Sequence, residues 1–260
     1  MEIAIRDWTP AEVMMILSPN AIKGGDMLKF TFLDLIIKEV LAYEKVEKDG
    51  KIFRNILTGP LLYAYQALPH EMVCLAPFQK GQPRIELKLY VRTLTQNVGG
   101  YYNFRQKYVK RAPRLKPFFQ SSFWNILNMH VLSDQGKRLQ QSLKTQIEAV
   151  RTCLKNIAMR NYDPAANPLV QNLGNNVIIL KEWEPFMHRK DLEVLAKSFL
   201  KQPAQVDLDF PEFDAQLLDV FMDAWSDISD AFSDGGGGSS DGGDGSSDGG
   251  SGCGGCGGGD

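Results

Sequence analysis

Cysteine is scarce in this chain, glycine is scarce everywhere but its end, and cations are missing from its last 59 residues. Only four cysteines occur in 260 residues, and two of them, Cys253 and Cys256, stand in the closing "GSGCGGCGGGD". That count excludes a disulfide-built scaffold, and Cys74 and Cys153, alone in apolar stretches, read as buried thiols. Residues 234–260 hold 15 of the 24 glycines, which leaves 9 in the 233 residues before them. The body therefore has an ordinary globular composition and enough apolar residues for a sizeable core. No run reaches the roughly 20 apolar residues of a membrane span. The opening "MEIAIRDWTPAEVMMIL" lacks a basic n-region and a small-residue cleavage site, so a cytoplasmic location is the default expectation.

Recognisable catalytic patterns are missing too. There is no H-E-x-x-H, G-x-S-x-G or G-x-x-x-x-G-K, and no dinucleotide fingerprint. His70, His130 and His188 have no second ligand at metal spacing, so each reads as a surface or hydrogen-bonded histidine, and no cofactor is expected. "HRKD" at His188 has the letters of a kinase catalytic loop without its spacing or companion motifs.

What is there is a segregated charge. After Lys201 no Lys or Arg occurs, while thirteen acids follow, from Asp207 to Asp260. Residues 1–201 consequently carry 29 basic and 18 acidic residues, a net of +11, inside a chain whose formal charge is -2. Opposite halves of this kind point either to self-association or to recruitment of an outside polyanion by the basic part.

Along the body, Thr9, Pro10 and Glu12 form the T-x-x-E capping box of a first helix, "PAEVMMIL". A second helix follows over "MLKFTFLDLIIKEV", with Leu28, Phe32, Leu35 and Ile36 at helical spacing. "VLAYEKVEKDGKIFRNIL" reads as two strands around the Asp49-Gly50 turn. Helices followed by a hairpin describe a winged-helix-like unit, expected over 1–60. "LPHEMVCLA" from Leu68 echoes "TPAEVMMIL" at an offset of 59, aligning Pro69 with Pro10 and Glu71 with Glu12. A diverged second helical lobe is expected over 61–160, with "RIELKLYVRTLTQ" as a helix and Ser133 as the N-cap of a late one. Residues 161–233 read as a loop-rich segment containing "VIIL", a helix from about Arg189 and an acidic amphipathic helix around Trp225. Residues 234–260 read as a disordered tail of roughly 30 Å end-to-end distance. The expected fold class is mainly α with a small β-hairpin element and a disordered Gly-rich tail.

Two features carry candidate function. "YYNFRQKYVKRAPRLK" places Arg105, Lys107, Lys110, Arg111, Arg114 and Lys116 among Tyr101, Tyr102, Phe104 and Tyr108. That mixture suits phosphates and stacked bases, but an amphipathic helix with inward tyrosines and solvated cations is the reading the segment favours. In the tail, one C-x-x-C offers two thiolates where a structural zinc needs four ligands, and glycine neighbours supply nothing to lower a thiol pKa. Cys253 and Cys256 are thus expected to be exposed, ordinary thiols.

The capped "TPAEVMMIL" helix, the second helix and hairpin, the later "FWNILNMHVLSDQGKRLQQSL" and the terminal "GSGCGGCGGG" together resemble uncharacterised bacterial proteins with a winged-helix-like body and a Gly/Cys-rich C-terminus. Many of those carry membrane segments, which this sequence lacks, and the resemblance supplies no functional residues. The reading that emerges is a non-enzymatic binding or scaffold protein with an unidentified protein partner, its tail a tether or another protein's substrate. Nucleic-acid binding through 105–116 is the alternative, and an enzyme would need a site that no motif marks.

Overall fold

The computed structural model describes residues 5–99, 103–120, 130–159, 167–183 and 185–186. It is mainly helical with one small antiparallel sheet. Helix α1 (Pro10–Leu17) begins as its sequence demands: Glu12 N–H donates to Thr9 Oγ1 at 3.3 Å, and Thr9 N–H donates back to the Glu12 carboxylate at 3.0 Å. Seven of its eight residues are buried, so it is a central helix and not an amphipathic cover. Helix α2 (Gly24–Ile37) packs against it, with Leu28, Phe32, Leu35 and Ile36 all inside.

Strands β1 (Leu41–Lys48) and β2 (Lys51–Thr58) form the hairpin expected at Asp49-Gly50. Both turn residues have positive φ, 53° and 70°, which is the type I′ geometry whose twist matches the flanking strands. Helix α3 (Pro69–Leu75) follows and repeats the start of α1, with Pro69 in its first turn and Glu71 accepting from Leu68 N–H at 2.7 Å. A third strand, β3 (Arg84–Glu86), then pairs with β2 and sets Ile85 opposite Ile56.

That strand corrects the expectation of an unbroken helix from Arg84. Helix α4 starts only at Leu87 (Leu87–Val98), because Ile85 completes the inner face of the sheet and tertiary packing overrides helical propensity. Tyr90 of α4 is fully buried, its ring 5.3 Å from Phe32 and 5.7 Å from Phe78, and its hydroxyl donates to the Cys74 carbonyl at 2.8 Å. The long helix α5 (Asp134–Ala158) starts at the expected N-cap, Ser133, and buries Leu143, Ile147, Val150, Leu154 and Ile157. It packs on α1 and on the short helix α6 (Asn167–Leu173). Val177–Ile179 of the "VIIL" run lie in a 3-10 turn, Gly174–Ile179, and Leu180 follows as its extended C-cap.

One hydrophobic core runs from Ile5 to Phe186, so residues 1–60 and 61–160 share both a core and a sheet. Cys74 is buried and Cys153 half-buried. Of the two helices that the sequence predicts to either side of "HVLSDQGK", the earlier falls largely in 121–129, and that segment, the helices expected near Arg189 and Trp225 and the tail lie outside the described residues.

Gly59 closes the link from α2 to the hairpin. Its N–H donates to Val40 O at 2.9 Å while Leu61 N–H donates to Glu39 O at 3.1 Å, so a Cβ on Gly59 would run into the Glu39 carbonyl with no slack in either chain. Gly59→Ala is expected to cost about 1–3 kcal/mol in urea unfolding. An unchanged midpoint would show that this backbone crossing is not held.

Candidate functional site

The duplicated helix starts meet inside the protein. Thr9, which caps α1, lies 2.9 Å through its Oγ1 from Nε2 of His70, which is in the first turn of α3. Each helix start brings a buried carboxylate, Glu12 and Glu71, both with fully buried side chains. Lys38, one residue past α2, bridges Glu71 at 2.9 Å and Asp34 at 2.7 Å, and Tyr65 OH donates to Glu71 at 2.7 Å. Asn175 donates to the other oxygen of Asp34 at 2.8 Å. Arg114 covers the opposite end, 3.5 Å from Glu12 and 5.1 Å above the Trp8 ring, and it also donates to the Asp7 carbonyl.

The electrostatics follow from this burial. Desolvation alone would push the Glu71 carboxyl up, but Lys38, His70 and the Leu68 N–H together hold it below the usual range. The same two carboxylates, Asp34 and Glu71, overcome desolvation to keep Lys38 protonated well above its ordinary value. Burial raises the carboxyls of Glu12 and Asp34, against the opposing pull of their cationic neighbours. His70 is depressed to about 4 by its complete burial, and its Nδ1 has no hydrogen-bond partner. The cluster thus holds acids, a base and a hydroxyl, yet their atoms face one another within the core and not an opening. Its chemistry is that of an internal ionic lock.

The basic segment lies beyond Arg114. Residues Phe104–Lys110 form a π-helical turn, in which positions five apart share a side. Phe104 and Val109 accordingly point inward together, both fully buried, and Arg105 and Lys110 fall together on a half-buried side. Beside the latter pair is His130, depressed to about 4 by burial, Lys110 and Arg105. The Gln106 side-chain amide lies 2.8 Å from His130 Nε2, and Asn20 brackets the His130 backbone with two hydrogen bonds. Lys110 is itself pulled down by burial, Arg111 and Arg105.

The six predicted cations therefore divide. Arg105 donates to the Ile22 carbonyl at 3.1 Å, and Arg114 serves the ionic lock. Lys110 sits 5.8 Å over the Phe119 ring. Lys107, Arg111 and Lys116 are exposed and make no ion pair among the described residues; Lys107 lies 5.3 Å over Tyr108. Tyr108 is half-buried, while Tyr101 and Tyr102, like Cys253, Cys256 and His188, lie outside the described residues. No Asp or Glu occurs from Leu87 to Ser133, whereas eight Lys and Arg do.

Other features carry less. An open depression of about 550 Å³ between the end of α1 and α5 has Glu148 and Arg151 on its wall, paired with each other at 3.4 Å. Among the described residues no three His, Cys, Asp or Glu side chains group to hold a metal, and no helix is long and apolar enough to cross a membrane. No protein-family model, curated protein or solved structure matches the chain.

The ionic lock was not foreseen from sequence, although two signals bear on it. The 59-residue echo aligns Glu12 with Glu71, and Asp34 and Lys38 are opposite charges four apart at the end of an apolar run.

His70 gives the lock a pH signature. Between pH 6.5 and 4 the unfolded chain takes up a proton that folded His70 refuses, so this contribution to stability is complete above pH 6.5 and is lost as pH falls toward 4. Across that window the parent is expected to lose about 3 kcal/mol more than His70→Gln. Urea unfolding at a series of pH values measures it, and parallel profiles would contradict the assignment.

Proposed function

We propose that this protein is a non-catalytic binding module that holds the phosphate backbone of a nucleic acid on the face bearing Lys107, Arg111 and Lys116. One observation carries the reading: the run 87–133 has eight cations and no acid, and its exposed members, Lys88 and Arg92 with those three, make no ion pair among the described residues. Some cations elsewhere on the surface do have acids beside them, as Arg84 has Glu44 at 2.8 Å and Lys155 and Arg151 have Glu182. Uncompensated cations on a surface raise the local concentration of polyanions, and releasing counterions from phosphate drives the contact. Half-buried Tyr108 beside Lys107 adds a ring against which an unstacked base can lie.

A catalytic role for the conspicuous acids and histidines is disfavoured by their placement. Glu12, Glu71, Asp34 and His70 are the groups that could move protons, and all four are fully buried in contacts with one another's elements. The glycine-rich stretch with Cys253 and Cys256 would serve as a tether or as another protein's substrate; its cytoplasmic setting and any oligomer belong to the same proposal.

The test is binding of a fluorescein-labelled single-stranded oligonucleotide between about 50 and 200 mM salt. Replacing Lys107, Arg111 and Lys116 by alanine is expected to flatten the slope of log K against log salt by about 2, from roughly 0.7 per lost phosphate contact. Identical slopes for parent and variant would remove the reading.

A further inference from the structure

The charge left uncompensated on the body has a counterpart in the same chain. Residues 202–260 contain thirteen acids and no Lys or Arg. Their neighbours differ in kind. Eight acids, from Asp207 to Asp230, stand among Phe210, Phe213, Phe221 and Trp225, whereas the five from Asp234 to Asp260 stand among glycine and serine. A stretch that alternates carboxylates with flat rings offers the two chemistries of a single-stranded nucleic acid, anions in series and aromatic faces. The basic segment accommodates both: it presents exposed Lys107, Arg111 and Lys116, and it already places ammonium groups over Tyr108 and Phe119.

We infer that residues 207–230 are an intramolecular ligand of the Lys107–Lys116 face and compete there with an external polyanion. This rests on the function proposed above. Twenty residues separate Phe186 from Asp207. Their maximal reach of about 70 Å exceeds the roughly 40 Å diameter of a body this size, so the segment can arrive at any face. Tethering sets its effective concentration on the order of millimolar, so a weak contact suffices to occupy the site. The affinity measured for an outside polyanion is then that of the free face reduced by the fraction of chains in which the segment has left it.

The experiment uses three full-length chains. One is the parent. A second carries D209N, D214N, D219N, D223N and D227N, and a third carries D234N, D241N, D244N, D248N and D260N. The two variants raise the net charge equally, so a long-range charge effect is matched between them. Binding of a fluorescein-labelled thymidine 20-mer is read by anisotropy at about 50 mM salt. The second chain is expected to bind about tenfold tighter than the parent, and the third within about twofold of it. Equal gains in the two variants would overturn the inference in favour of net charge alone. No gain in the second chain, with the parent binding, would overturn it while leaving the proposed function intact.

If no chain binds, the proposed function and the competition fail together, and zero-length carbodiimide cross-linking of the parent decides whether the intramolecular contact exists. Coupling of Lys107 or Lys116 to an acid between Asp207 and Asp230 supports it. Coupling only to acids beyond Ser233, or none, overturns it.

Discussion

Lys38 joins two buried carboxylates at once, and the arrangement of the first helices depends on it. A single ammonium, 17% exposed, is shared between Asp34 of α2 and Glu71 of α3. Neither carboxylate could remain charged at full burial without it, since removing one member of a buried ion pair costs about 3–5 kcal/mol. Glu71 in turn caps α3, so the charge that satisfies Lys38 also fixes where that helix begins. His70, one residue earlier, then reaches Thr9 and ties the start of α3 to the start of α1. Apolar residues of the same size could fill this space with comparable stability.

The same constraint shapes the outside. Glu12 and Glu71 are drawn into helix caps and internal pairs, and Asp34 into Lys38 and Asn175. Acids that would have balanced surface cations are thereby placed in the core. Arg114, one of the six predicted cations, pairs with a core acid, and it does so from the edge of the basic segment. The ionic lock and the basic segment thus meet at one residue.

Local signals were legible where the physics is local. The Thr9 capping box, the Asp49-Gly50 turn, the apolar stripe of α2 and the Ser133 cap each depend on residues within a few positions of one another, and all appear in the structure. Strand β3 was not legible, because Arg84–Glu86 becomes a strand only once Ile56 offers a partner 29 positions away. Nor was the π-helical turn at Phe104, whose five-residue spacing a search for 3.6-residue periodicity misses. The lock escaped for a further reason. Spacing in a chain shows that Glu12 and Glu71 occupy equivalent helix positions, but not that one lysine between those helices faces the second of them. For the basic segment, composition identified all six cations, while their division into structural and exposed groups needed the Ile22 and Asp7 carbonyls, each more than 80 positions distant.

The central claim is that Lys38 and Glu71 act as a coupled pair that joins α2 to α3. A double-mutant cycle tests it most directly: Lys38→Met, Glu71→Gln and their combination, each measured by urea unfolding at pH 7. The account predicts that the single variants are destabilised by about 3 kcal/mol or more. It also predicts that the double variant loses at least about 1 kcal/mol less than the sum of the two. Additivity within about 0.5 kcal/mol would contradict it.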